Sequence, residues 1–175
     1  MVLPLIAVLI QTLAGTVIDA LQAPAGTKAI VFIFASTDCP ISNRYAPEVR
    51  RLAEKFSPRH VVFRLVYPNP ADTAAAIREH MTAFAYQSAA QAFRDPDHGL
   101  VKLAQATVTP EAAVFVGGRL VYHGRIDDRY VDFGVDRAAP TVHDLDEAIA
   151  AAIKGEPVPQ ESTRAIGCYI ADFRR

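Results

Sequence analysis

The chain has 175 residues, of which 51% are hydrophobic and 21% charged, enough for one domain with a sizeable core. Its net charge is −1 and no basic block appears, which argues against a nucleic-acid or acidic-membrane partner. Two cysteines, Cys39 and Cys168, exclude a disulfide framework and leave a redox pair, a metal pair or two core residues.

The stretch from Met1 to Ala14 is almost entirely apolar but shorter than the roughly 20 residues of a membrane span. It fits the hydrophobic region of a secretory signal with small residues at Ala14-Gly15, yet no Lys or Arg precedes it; the alternative is a buried N-terminal strand. Export, periplasmic in a bacterial-type cell, would place both thiols where disulfides persist, with residues 1–14 as a candidate membrane anchor. The strand alternative leaves the chain cytoplasmic.

Residues 15–22 read as an edge strand before the Pro24-Ala25-Gly26 turn. Ala29 to Ala35 is a buried strand, followed at once by Ser36-Thr37-Asp38-Cys39-Pro40-Ile41-Ser42. That segment opens a helix to Phe56, with Ile41, Tyr45, Val49, Leu52 and Phe56 on one face. Val61 to Tyr67 is a second strand, and a helix over 71–86 has Asp72 and Thr73 near its cap. A short strand at 92–94 and a helix over 100–106 follow. Ala112 to Val116, Gly117-Gly118 and Arg119 to His123 read as a β-hairpin. Thr141-Val142-His143-Asp144 approximates a capping box for the last helix, which Gly155 and Pro157 end. The tail over 155–175 holds Pro159, Gly167 and Cys168 and reads as a packed or extended arm. This order predicts an α/β fold, a mixed sheet with helices on both faces.

A strand that delivers Cys39 to the first turn of a helix sets its sulfur beside unpaired N–H groups and the positive dipole end. Both favour the nucleophilic thiolate. Ser42 is a candidate donor to that sulfur, Asp38 a helix cap, and Arg44 a counter-charge to Asp38. Arg125 and Asp127 are candidates for the site's rim, whereas Asp127-Asp128 and Asp132 otherwise read as a surface loop. The five histidines, His60, His80, His98, His123 and His143, form no i, i+4 ligand pair and read as solvated or hydrogen-bonded residues.

Phe34 to Ser42, Pro47 eight residues after Cys39, Thr109-Pro110 ahead of a strand, and the run Gly117 to Asp127 together resemble the thioredoxin-like superfamily. The likeness is to redoxin domains of the AhpC/TSA or TlpA type and spans residues 16–154, with residues 1–15 and 155–175 outside it. It implies the thioredoxin-like fold, with Cys39 as attacking thiol and Thr109-Pro110 as a cis-proline loop packed against it. Ser36 and Ser42 would be catalytic residues beside Cys39, with Pro40 and Arg125 supporting the site. Two departures stand out. Ser42 replaces the second cysteine of Cys-x-x-Cys, and Phe32 stands where peroxiredoxins carry proline, although Ser36 keeps its place before Cys39.

The resemblance implies a thiol-disulfide oxidoreductase or redoxin-type antioxidant protein, without cofactor or metal. It would act on a thiol or disulfide substrate and need an external reductant. Cys168, in Ile166-Gly167-Cys168-Tyr169, is the internal candidate for resolving thiol. The alternatives are a catalytically degenerate binding module, or a copper-handling protein using Cys39, Cys168 and a histidine such as His143.

Overall fold

The computed structural model describes residues 7–171. Its centre is β3 (Ala29–Phe34), with all six residues buried. Alternation along this strand sends Ile30, Phe32 and Phe34 to one face of the sheet and Val31 and Ile33 to the other. A strand covered on both faces needs apolar residues at every position, hence the unbroken run.

Around it lie β1 (Leu9–Thr12), β2 (Val17–Asp19), β4 (Val61–Tyr67), β5 (Gln91–Arg94), β7 (Glu111–Val116) and β8 (Arg119–Gly124). The seven-stranded order is β2-β1-β5-β4-β3-β7-β8. β3, β4 and β5 run parallel, and their crossovers carry α1 (Pro40–Arg44), α2 (Ala46–Phe56) and α3 (Ala74–Ala83). β7 returns antiparallel to β3 and forms the predicted hairpin with β8. Val49, Leu52 and Phe56 of α2, Ile77 of α3, and Leu145 and Ile149 of α5 (Asp144–Ala152) pack on one face of the sheet. Leu100, Val101 and Ala104 of α4 (Gly99–Ala104) cover the other. No helix among the described residues is long and apolar enough to cross a membrane.

At the N-terminus, Leu9–Thr12 takes the strand form: it pairs with β2 and β5 and buries Ile10. The earlier part of the apolar stretch, residues 1–6, lies outside the described residues. The helix expected over 40–56 is interrupted at Tyr45, because Pro47 has no N–H to donate to the carbonyl one turn back. The next helix begins at Ala74, its amide end capped by Thr73, whose hydroxyl oxygen accepts from Ala76 N–H at 3.1 Å. Asp72 does not cap it; it takes the hydroxyls of Thr37 and Ser36 instead.

The last helix starts at Asp144, with His143 in the cap position rather than Thr141. Thr141 is already committed, since its amide and hydroxyl donate to Asp128 at 2.6 and 2.5 Å, joined by Val142 N–H at 2.9 Å. Asp127 and Asp128 are therefore buried rather than part of a surface loop. Two short pairs complete the fold. β9 (Tyr130–Asp132) pairs with β10 (Val135–Asp136), and β6 (Val108–Thr109) pairs antiparallel with β11 (Cys168–Tyr169), so the tail is a docked arm.

Arg64 sits in the middle of β4, only 6% exposed, with its guanidinium over the Phe93 ring. It donates to the carbonyls of Ala20 and Gln22, pinning the β2–β3 connection to the sheet. Replacing Arg64 by Met removes both donors and leaves the carbonyls with no charged partner. Chemical denaturation is expected to show a loss of about 2–4 kcal/mol.

Candidate active site

Cys39 ends the β3–α1 connection in extended backbone (φ −83°, ψ 109°) and is itself the N-cap of α1. Its sulfur accepts the Ser42 backbone N–H at 3.4 Å, a bond that spans the first turn. Ser42 thus supplies a main-chain amide, a contact any non-proline residue there can make. Pro40 occupies the first helical position, where a missing N–H costs nothing. Asp38 does not cap the helix; its carboxylate turns back to accept the Ser36 hydroxyl at 2.6 Å, and Ser36 also reaches Asp72 at 3.4 Å. Cys39 is 1% exposed.

The cover over Cys39 comes from two distant segments. The Thr109-Pro110 peptide is cis, and the Thr109 carbonyl accepts the Cys39 S–H at 3.0 Å. Opposite Thr109 in the β6–β11 register sits Cys168, which brings its thiol within electrostatic reach of Cys39. Burial pushes the Cys168 thiol up to about 12, reinforced by Cys39 and then Asp38. Both cysteines are in the free thiol form. The two environments differ: Cys168 is held as a thiol, whereas Cys39 has a helix-end amide at its sulfur.

Gly167 makes this approach feasible. A Cβ at that position would lie 2.2 Å from the Thr109 carbonyl oxygen, so only glycine lets the arm's backbone lie against the loop. Beyond the cysteine, Ile170 N–H donates to Thr107 O at 2.9 Å. Tyr169 is 88% exposed, projecting beside a narrow cleft of about 160 Å³ bordered by Ser36, Asp38, Asn69, Thr109 and Cys168. A larger hollow of about 780 Å³, lined by Leu13, Phe63, Arg78 and Met81 among others, contains neither sulfur.

The carboxylate behind the loop was not among the residues the sequence singled out. Glu111 is buried directly after Pro110, and its Oε2 accepts Thr107 N–H at 2.8 Å, the Thr107 hydroxyl at 3.2 Å and Val108 N–H at 3.3 Å. Its other oxygen lies 3.5 Å from His123 Nδ1. A charged residue opening an otherwise buried apolar strand, Glu111 before Ala112 to Val116, was the available signal.

The remaining candidates fall elsewhere. Arg125 pairs with Asp144 at 2.7 Å, and Arg44 reaches Tyr130 and Asp136 rather than Asp38. Asp127 accepts the Tyr45 hydroxyl at 2.6 Å. Among the histidines, His80 bonds Tyr67 and Asn43, and His98 bonds the Pro68 carbonyl. Among the described residues, His143 converges with Glu48 and Asp127, and no histidine joins the two sulfurs in a three-ligand cluster.

No family model and no curated protein sequence matches the chain. Solved structures do. An uncharacterized conserved protein from Geobacillus kaustophilus is 22% identical, with 97% of this chain and 90% of that chain covered and a TM-score of 0.80. A thioredoxin-like protein from Aeropyrum pernix is 17% identical over 67% of this chain and 80% of its own, with a TM-score of 0.55. A secreted Mycobacterium tuberculosis disulfide oxidoreductase is 14% identical over 84% of this chain and 94% of its own, with a TM-score of 0.53. The fold is thioredoxin-like.

Placing a methyl group at Gly167 should lift the arm from β6. In Gly167→Ala, Cys39 is expected to react with iodoacetamide at least tenfold faster than in the parent chain at neutral pH, followed by mass spectrometry. Equal rates in the two proteins would mean that the arm does not cover Cys39 in solution.

Proposed function

We propose that the protein is a two-thiol, thioredoxin-like thiol-disulfide oxidoreductase in which Cys39 attacks and Cys168 resolves. One observation carries the reading: the β6–β11 pairing delivers Cys168 to Cys39, supplying the second thiol that Ser42 does not. The disulfide oxidoreductases among the proteins of similar fold support the same reaction class.

In the reductive direction the Cys39 thiolate attacks one sulfur of a substrate disulfide. A Cys39–substrate S–S bond forms, the substrate's own S–S bond breaks, and the leaving sulfur takes a proton. Cys168 then gives up its proton and attacks the Cys39 sulfur. This second exchange forms a Cys39–Cys168 disulfide and releases the second substrate thiol. The substrate has gained two electrons and the protein has lost two, which an external dithiol must return.

The environments fit this division of labour. A thiol with its pKa near 12 is a poor attacking group at neutral pH, so Cys168 waits as a thiol while Cys39 initiates. The Thr109 carbonyl beside the cis bond takes the Cys39 S–H, and Ser42 N–H supports the sulfur after that proton leaves. Ser36 and Pro40 shape the connection that carries Cys39. Export is part of the proposal, since a protein of similar fold is described as secreted and an exported chain would meet disulfide substrates.

The test uses reduced protein and oxidised glutathione, read by intact mass. The parent chain is expected to end as an intramolecular disulfide with glutathione released. Cys168→Ser should accumulate a Cys39–glutathione adduct, and Cys39→Ser should react about a hundredfold more slowly or not at all. A Cys168→Ser protein that never holds glutathione while the parent turns over would remove Cys39 as the attacking group.

A further inference from the structure

We propose that Glu48, Asp127 and His143 form a binding site for a divalent first-row metal ion, zinc being the probe of choice, separate from the two thiols. The three side chains come from α2, the loop after β8 and the N-cap of α5, and their candidate ligand atoms all lie within 4.8 Å of one another. Two carboxylates and an imidazole make a nitrogen and oxygen donor set suited to such an ion, with water completing the coordination.

The cluster has a fixed ligand, an accessible side and a built second layer. Asp127 is buried, and its Oδ1 already accepts the Tyr45 hydroxyl at 2.6 Å and Arg129 N–H at 3.0 Å. These bonds orient the carboxylate while leaving Oδ2 without a hydrogen-bond donor among the described residues, as an outer shell does for a metal ligand. The carboxylates of Asp127 and Glu48 converge here beside the His143 imidazole. A cation between them offsets both charges.

The backbone that carries His143 is held in place from behind. Asp128, next to Asp127, clamps Thr141 and Val142, and Leu145 N–H donates to Ile126 O at 3.1 Å, so the turns before and after His143 are tied to the loop that carries Asp127. His143 itself is exposed and its ring makes no hydrogen bond among the described residues. Metal bonds of about 2.1 Å require ligand atoms nearer than 4.8 Å, and the two more accessible side chains, Glu48 and His143, supply that closure by turning onto Asp127.

Arg51 competes for Glu48, which it binds through both oxygens at 2.8 and 2.7 Å. The same guanidinium also reaches Asp146 at 2.8 Å, so it keeps a carboxylate partner when Glu48 turns to the metal.

The measurement is zinc titration of the Cys39→Ser/Cys168→Ser chain by calorimetry, which excludes thiol binding, together with thermal melting. One zinc per chain at micromolar or lower concentration, with a rise in melting temperature, is expected. His143→Ala should weaken binding at least tenfold, and Tyr45→Phe, which removes only the outer hydroxyl, about tenfold. Manganese, which thiols hold poorly, gives the same comparison on the unmodified chain if the double variant does not fold. The proposal is overturned if no ion binds, or if His143→Ala binds as tightly as its parent.

Discussion

The carbonyl oxygen of Thr109 accepts the Cys39 thiol, and the same peptide group lies against the backbone of Gly167, with Cys168 next in the strand. One peptide therefore sets the position of both sulfurs. The cis bond to Pro110 lies between the outlying strand β6 and β7 of the seven-stranded sheet, and the buried side of that turn is filled by Glu111. Burying a carboxylate is costly unless its oxygens are satisfied. Glu111 meets that condition with three donors from Thr107 and Val108, and in doing so it fixes the loop that carries Thr109.

The arm is held unequally along its length. At its root, Thr163 is locked into the hairpin: its amide donates to His123 O, and its hydroxyl meets both Tyr122 and the Arg125 amide. Gly124 admits this contact, since a Cβ there would lie 2.3 Å from Thr163 atoms. At the tip, among the described residues, the two-residue β11 and the Ile170 amide hold the backbone to β6 and Thr107. Segments with few contacts open at lower free energy than those with many. A firm root and a lightly held tip place Cys168 opposite Thr109 at the less firmly held end of the arm.

Much of this was legible in the sequence, for reasons that differ by element. The β3 run, the β4 run and the Gly117-Gly118 hairpin announce themselves because burial on both faces and a glycine turn leave strong local signatures. The position of Cys39 at the head of a helix was legible from its place between a buried strand and Pro40. The Asp38 and Thr141 caps were misread because a local capping pattern competes with distant partners. Ser36 takes Asp38, and Asp128 takes Thr141, neither of which spacing alone reveals. The pairing of residue 168 with residue 109 was invisible for the same reason: a two-residue strand has no periodicity, and its sole mark is Gly167, whose need becomes clear only with Thr109 beside it.

Under the proposed two-thiol reaction, Ser42 in place of a second cysteine does not disarm the site. A resolving thiol one helical turn from Cys39 would be fixed relative to it and would require no other segment. Moving that thiol to an arm makes the second step depend on docking, which couples resolution to the β6 edge. Burial raises the Cys168 pKa while it is docked, and in the proposed second step its proton must leave before it attacks. A mixed disulfide on Cys39 ends the Cys39 charge that helps hold the Cys168 proton. That influence on its pKa is thereby removed at the step in which Cys168 becomes the nucleophile.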